Sequence, residues 1–456
     1  MLHEECGVFG CYDQDGVNVA ETAYYGLFAL QHRGQESAGI AVSEGNNIHI
    51  RKDSGLVQDV FRKHGLQGLN GHAAIGHVRY STAGGSGVVN AQPLCGYWNG
   101  GEMAVAHNGN LSNASLLRRE LLSQGVILQT QADSELILHL LARTRTWSKS
   151  LEEAALNLMS RLEGAFSVVV LGEGCLMAFR DPRGMRPLCL GKLGDSYAIA
   201  SESCALDAVG ATLIRDIRPG EVVRIDEKGL HSFTRHCGGE NRICIFEYLY
   251  FARPDSIIEG TSVHEARKHS GHILAETFPV EADLVIGVPD SGTDAAIGYS
   301  EASGIPFGCG LIVNPYVGRT FIQPTQSLRA AAVKKKLHVV ADAVKGQRIV
   351  MVDDSLVRGT TCAKLVAMMK EAGAKEVHMR ISAPTFLWPC YFGTDVPSRE
   401  NLIAVQYSIE EIRQRIGADS LGFMPQERLR ELLPDSCSYC DGCFSGNYPY
   451  TPILED

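Results

Sequence analysis

The chain has 456 residues, with 42 Lys and Arg against 52 Asp and Glu, 48 Gly, 14 Cys and 45% hydrophobic residues. That length predicts two or three domains, each able to bury a full core. A formal charge of −10 excludes a general nucleic-acid or membrane-surface binder, because no broad basic field attracts polyanions, and the longest basic run is only Lys334-Lys335-Lys336. No apolar run reaches the roughly 18 residues that cross a bilayer. The acidic start, Met1-Leu2-His3-Glu4-Glu5, lacks the apolar core of a signal peptide. Cysteines in such a chain read as thiols or metal ligands rather than a disulfide framework. These features predict a cytoplasmic enzyme.

In chain order, short runs punctuated by glycine predict strands at Gly7–Cys11, Gly39–Val42, His72–Arg79, Met103–His107 and Ala165–Leu171. A helix is predicted over Asp133–Arg145, where Leu136, Leu140 and Leu141 recur at helical spacing. The polar, glycine-bearing stretch Thr234–Asn241 predicts a boundary. Beyond it, apolar runs at Asp283–Val288, Arg348–Val352 and Glu376–Ile381 alternate with helical stretches such as Ala363–Glu371. That alternation predicts βαβ units and a doubly wound parallel sheet.

Five motifs mark the first half: Cys6-Gly7-Val8-Phe9-Gly10, the stretch Leu30–Gly39, Gly76-His77-Val78-Arg79-Tyr80-Ser81-Thr82, Ala106-His107-Asn108-Gly109-Asn110 and Ala132-Asp133-Ser134-Glu135. Singly, each has an ordinary explanation. A free Cys packs as a small hydrophobe, Asn-Gly is a turn signal, and Arg79 alone reads as an ion-paired residue. Their order and spacing resemble the class II glutamine amidotransferase domain of the N-terminal-nucleophile family, from Cys6 to about residue 230. The resemblance implies that Cys6 is the nucleophile and that its own α-amine is the base. An α-amine titrates near pH ~7.7–8.0, close to working pH. It also implies that the Asn108 side chain and the Gly109 N–H stabilise the oxyanion. Arg79 then clamps the glutamine α-carboxylate, and Asp133 accepts the α-ammonium. Five residues precede Cys6, so Met1–Glu5 is expected to be a propeptide cleaved to free that amine.

In the second half, Ile349-Val350-Met351-Val352-Asp353-Asp354-Ser355-Leu356-Val357-Arg358-Gly359-Thr360-Thr361 joins a buried strand, two carboxylates, a small-residue loop and a helix start. Loop N–H groups with the Ser355, Thr360 and Thr361 hydroxyls form an anion site. The Gly-Lys-Ser/Thr of an ATP loop is missing, so a sugar phosphate fits better, its hydroxyls on Asp353 and Asp354. The string resembles the phosphoribosylpyrophosphate (PRPP) loop of type I phosphoribosyltransferases. That resemblance implies PRPP contacts from Asp353, Asp354, Ser355, Arg358, Gly359, Thr360 and Thr361. It also implies Mg²⁺ at Ser291 with Asp353 and Asp354, and Arg319 on a loop, Tyr316–Ile322, that closes over substrate. At Val313 the chain departs from that family, which usually carries a lysine shortly before the loop.

Cys437-Ser438-Tyr439-Cys440-Asp441-Gly442-Cys443 has the spacing of iron–sulfur or zinc ligands, and spacing alone does not choose between Cys440 and Cys443. Joined in this order, the halves resemble the PRPP-using glutamine amidotransferases, over nearly the whole chain. One subclass of them carries a propeptide and a [4Fe–4S] cluster, whose ligands correspond here to Cys244, Cys390, Cys437 and Cys440. The implied organisation is a propeptide at 1–5, an α+β Ntn-hydrolase sandwich over 6–235 and an α/β type I phosphoribosyltransferase domain over 240–456. The implied reaction makes 5-phosphoribosylamine, glutamate and pyrophosphate from glutamine, PRPP and water, the first committed step of purine synthesis. A homotetramer and feedback inhibition by purine nucleotides come with that resemblance. The alternative, a catalytically silent PRPP- or nucleotide-binding regulator, predicts loss of the nucleophile or an oxyanion donor, yet Cys6, Arg79, Asn108, Gly109 and Asp133 are all present.

Overall fold

A computed structural model describes residues 6–45, 47–80, 87–314, 337–394, 396, 398–434 and 438–451. The first half is built on two facing antiparallel sheets. Among the described residues one sheet has seven strands, in the order Thr212–Asp216, Cys189–Leu193, Ser196–Ala200, Gly7–Tyr12, Ala73–Arg79, Ser37–Glu44 and Asn47–Ser54. The other has six: Gly229–Phe233, Val222–Asp226, Cys175–Arg180, Gly164–Gly172, Gly101–Leu111 and Leu94–Trp98.

Side-chain alternation along the strands makes the layers. From Gly7–Tyr12, Phe9 and Cys11 pack with the helices Val19–Ala29 and Val57–His64. Val8 and Tyr12 instead meet Ala104, Ala106, Val169 and Leu171 of the facing sheet. The six-stranded sheet buries its outer face against Leu136 and Leu140 of the helix Asp133–Arg145 and Leu151 and Leu158 of Leu151–Met159. A helix–sheet–sheet–helix sandwich results, matching the expected α+β class.

The second half holds a parallel sheet, Leu284–Gly287, Arg348–Asp353, Glu376–Ile381 and Ser420–Phe423. Both faces are covered, which is why its strands read as unbroken apolar runs. Val350 and Val352 pack with Leu274 and Tyr299 of the helices Val263–Thr277 and Gly292–Ser303. Ile349 and Met351 pack with Leu365 and Ile412 of the helices Thr360–Glu371 and Ile409–Ile416.

Between the halves, Ile243–Cys244 pairs in parallel with Tyr439–Cys440, so the far end of the chain returns to the junction. A separate core of Phe246, Phe386, Leu429 and Phe444 fills the space beside this pairing. Among the described residues no helix is long and apolar enough to cross a membrane.

Candidate functional site

Cys6 ends up at one rim of the sandwich because it immediately precedes the Gly7–Tyr12 strand, whose Gly7 is paired with Val78. One step past that pair stands Arg79, itself paired with Ser37 on the next strand. Adjacent strands lie about 4.8 Å apart, so Cys6, Arg79 and Ser37 form a row across three strands. The Cys6 thiol is buried and donates to the Tyr80 carbonyl at 3.3 Å. Its carbonyl accepts from Arg33 Nε at 2.9 Å.

Asn108 and Gly109 approach from the other sheet. They lie within a ladder rather than a turn, paired with Ser167 and Phe166. Gly109 has φ +140°, and a Cβ there would stand 2.0 Å from the Ala165 carbonyl oxygen, so only glycine fits. Asn108 Nδ2 donates to Ser201 Oγ at 3.4 Å, and that hydroxyl accepts the Val8 N–H at 2.9 Å. Ser201 thereby ties the amide to the strand that Cys6 begins.

Behind them Asp133 opens its helix with both oxygens engaged. One lies 3.3 Å from His107 Nδ1, and the other accepts the Leu111 N–H at 3.0 Å. Burial works to raise this carboxyl, but His107 and the N–H groups of Leu111 and Ser134 hold it below the usual range. His77 is pushed down to about 3, chiefly by burial, so it is neutral; its Nε2 meets the His107 carbonyl at 3.0 Å. Arg79 is buried, with Glu36 at 3.9 Å.

The acidic pair stands where the Arg348–Asp353 strand ends. Asp354 accepts from Ser291 Oγ at 2.5 Å and from Ser355 Oγ, and the Cys362 thiol lies 3.6 Å from Asp353 Oδ2. Burial, then the neighbouring Asp354, pushes Asp353 up to about 8, and burial also raises Asp354. Two buried carboxyls side by side favour a proton or a cation between them. Gly359, at φ +73°, turns the chain into the helix Thr360–Glu371, whose first residues are Thr360 and Thr361. Arg358 lines a 350 Å³ hollow outside this loop, together with Gly359, Thr360 and Arg415.

Sequence reasoning assigned no role to Arg33, Ser201, Glu202, Glu247 or Tyr250. Glu247–Phe251 forms a π-helical turn held by Arg267, which donates to the carbonyls of Tyr248, Tyr250 and Ala252 at 2.8, 2.8 and 2.7 Å. The Tyr250 phenol is pushed up by burial first, then by Asp354 and Asp353, and it also lies in the field of Tyr80. Tyr80, whose carbonyl accepts from the Cys6 thiol, is thus within electrostatic range of Tyr250, and Tyr250 is within range of the acidic pair. Arg33 lies in the string Leu30–Gly39, but its partners Glu202 and Glu247 lie far off in sequence.

A third cluster gathers at the junction. Cys244 stands opposite Cys440 in the parallel pairing. Cys443 feels the charges of Cys390, Cys244 and Cys440, and burial raises it and Cys244 far above the ordinary thiol range. Cys440 is pushed up to about 12, again by burial first. The Leu387 and Trp388 N–H groups both donate to the Cys443 carbonyl at 3.1 Å, which holds the Cys390 loop against it. The described residues therefore bring together Cys244, Cys390, Cys440 and Cys443, the last of which the resemblance had left spare. Cys437 lies outside the described residues, as do Arg319, Ser81, Thr82 and Met1–Glu5. Among the described residues no three His, Cys, Asp or Glu side chains converge as ligands of one metal ion.

These features define a class: an amide-hydrolysing amidotransferase half joined to a half with a phosphoribosyltransferase-type loop. Comparison agrees. Residues 77–208 match a glutamine amidotransferase domain family. An amidophosphoribosyltransferase of Bacillus subtilis is 48% identical over 100% of this chain and 96% of its own length. One from Archaeoglobus fulgidus is 49% identical over 97% of this chain and 98% of its own. The chain belongs to the amidophosphoribosyltransferase family. Its fold is similar to a B. subtilis glutamine PRPP amidotransferase complexed with ADP and GMP, with TM-score 0.91, 46% identity, and coverage of 99% of this chain and 98% of that one. A structure of the allosteric regulatory enzyme of purine biosynthesis gives TM-score 0.92 at 47% identity, covering 99% of this chain and 97% of that one.

Proposed function

We propose that this chain makes 5-phosphoribosylamine from glutamine, PRPP and water in purine synthesis. The observation that carries the reading is a chain 48% identical to an amidophosphoribosyltransferase along its whole length, which keeps a buried thiol at Cys6 and a buried acidic pair at Asp353 and Asp354. Removal of Met1–Glu5 frees the Cys6 amine, which takes the thiol proton as sulfur attacks the glutamine side-chain carbonyl. Asn108 Nδ2 and the Gly109 N–H receive the developing oxyanion. Collapse expels ammonia, the protonated α-amine giving its proton to the departing nitrogen, and leaves a γ-glutamyl thioester, which water cleaves to glutamate. Arg79 holds the α-carboxylate and Asp133 the α-ammonium.

Ammonia moves inside the protein to the ribose C1, where it displaces pyrophosphate. Ser355, Gly359, Thr360 and Thr361 cradle the 5-phosphate, and Asp353 and Asp354 take the ribose hydroxyls. Arg358 and Arg319 supply charge toward the phosphates. Ser291, Asp353 and Asp354 would hold Mg²⁺, which would neutralise charge on the diphosphate. The raised pair fits it, because a cation relieves two buried carboxyls that ionise reluctantly.

Four thiols at an apolar junction suit a [4Fe–4S] cluster, with zinc the competing occupant. Cys244, Cys390, Cys440 and Cys443 are the thiols that the described residues gather at this junction. Neither half-reaction moves electrons, so the group would be structural or oxygen-sensing. Homotetramer formation, cytoplasmic residence and purine-nucleotide inhibition complete the reading; the ADP and GMP bound to the B. subtilis relative support the last.

The test is glutamate and pyrophosphate release by anaerobically purified protein with glutamine and Mg²⁺, with and without PRPP. Equal, PRPP-dependent release of both is expected. Glutamate without pyrophosphate overturns the acceptor assignment.

A further inference from the structure

Arg–Glu ties cross between the halves, and two of them grip an arginine buried in the first half. In one, Arg180 of the first half donates to Glu259 of the second at 2.6 Å. In the other, Arg33 donates to Glu247 through NH1 at 2.9 Å and NH2 at 2.8 Å, a forked pair with both side chains fully buried. The ties differ in what else the arginine holds. Arg180 otherwise donates to the carbonyls of Arg186, Ile217 and Gly184. Arg33 donates its Nε to the carbonyl of Cys6 and NH1 to Glu202 Oε1 at 2.6 Å.

All donor directions of a guanidinium are fixed by its plane, so the carboxylates that grip NH1 and NH2 also aim Nε. We propose that Glu247 is a positioning residue for amide hydrolysis, supplied by the half that does not carry the nucleophile. Holding the Cys6 carbonyl anchors the peptide plane that ends at the Cα bearing both the thiol and the α-amine. The inference rests on the function proposed above.

Its surroundings suit a firm anchor. Glu247 also accepts from Arg186 NH1 at 3.3 Å, while Glu202 accepts from Ser256 Oγ at 2.7 Å and the Arg253 N–H at 2.9 Å and lies 2.8 Å from His32 Nε2. Two arginines, Arg33 and Arg186, face two glutamates, Glu202 and Glu247. Burial alone would raise Glu202, but His32 and Arg33 hold it well below the usual carboxylate range. The same π-helical turn carries Tyr250, which senses Asp353 and Asp354.

The experiment compares Glu247→Gln and Glu259→Gln in the full chain, measuring synthesis driven by glutamine and by added ammonia. Mass spectrometry follows alkylation of Cys6 by an electrophilic glutamine analogue. A misaimed nucleophile costs roughly 10- to 100-fold. E247Q is expected to lose that much glutamine-driven kcat and alkylation rate, with little change in glutamine KM or in the ammonia-driven rate. E259Q should lower Tm while leaving the ratio of the two rates at its wild-type value. Arg33→Lys, which keeps the charge but loses the fork, should reproduce the E247Q pattern and serves if E247Q does not fold. An unchanged glutamine-to-ammonia ratio in E247Q, or an equal fall of both rates in E247Q and R33K, overturns the proposal and leaves a structural tie. Wild-type protein that releases neither product overturns the underlying function instead.

Discussion

Cys244 stands directly opposite Cys440 in a parallel pairing that joins the segment leaving the sandwich to the far end of the chain. Two thiols from distant parts of the sequence are thereby held side by side, and Cys443 completes a group with Cys390 around them. Thiols so deeply buried stay protonated unless a cation takes the charge.

Anaerobically prepared protein is expected to be brown, with iron and sulfide near four each per chain. Cys443→Ser should lose that content and Cys437→Ser should keep it. Colourless protein loaded with zinc would show that the thiols serve the other metal, and retention of iron by C443S would return the fourth position to Cys437.

Ser201 joins Asn108 to the Val8 backbone, and the side chain of Asn108 is the proposed oxyanion donor. Asn108→Ala should lower glutamine-driven kcat by about 10²–10³, the usual cost of one such donor. Ser201→Ala should cost less, because it leaves the donor present but loosely aimed. Both variants should keep the ammonia-driven rate, and a matching fall in that rate would assign Asn108 to the fold instead.

The acidic pair predicts a stability consequence opposite to its catalytic one. Asp353→Asn replaces a carboxyl pushed up to about 8 by burial and Asp354 with a neutral group of the same shape. Thermal unfolding should move up or stay level, while pyrophosphate release falls at least about 100-fold with either nitrogen source. A large drop in Tm would mean that the pair holds the strand end rather than a ligand.

Asp181 is fully buried, and burial pushes it up to about 6 although Arg180 and three backbone N–H groups pull it down. Its folded value lies above its unfolded value near 3.9, so the folded state binds the extra proton between these limits. Stability from this group is therefore full below about pH 4 and lost as pH rises through about 6. The loss is at most roughly 3 kcal/mol at 1.36 kcal/mol per unit. Denaturant titrations at several pH values should show this slope, and Asp181→Asn should flatten it.

Features governed by local pattern were legible. The helix Asp133–Arg145 has the bounds its leucine spacing predicts, and Glu376–Ile381 is a strand as its apolar run predicts. The Asn108-Gly109 pair is where local reading falls short. Asn-Gly signals a turn, and the strand was expected to end at His107. Pairing with Gly164–Ser167 instead carries it on to Leu111, and that extension puts the Asn108 amide inside the sandwich. Ser201, Glu202 and Glu247 carry no periodic or motif signal; their roles come from partners on other strands and turns. Cys440 and Cys443 are equivalent by spacing, and only the pairing with Cys244 orders the group.

The charge cluster around Arg33 bears on whether the two halves are modules. Cutting the chain near residues 235–240 would remove Glu247 from two guanidiniums, Arg33 and Arg186, that have no access to water. An uncompensated buried charge costs several kcal/mol, a large part of a domain's whole stability. An excised first half would have to flood this pocket or neutralise it before Cys6 was held again. Transplanting that half onto another acceptor domain therefore requires a carboxylate to be designed into the new partner at the place of Glu247.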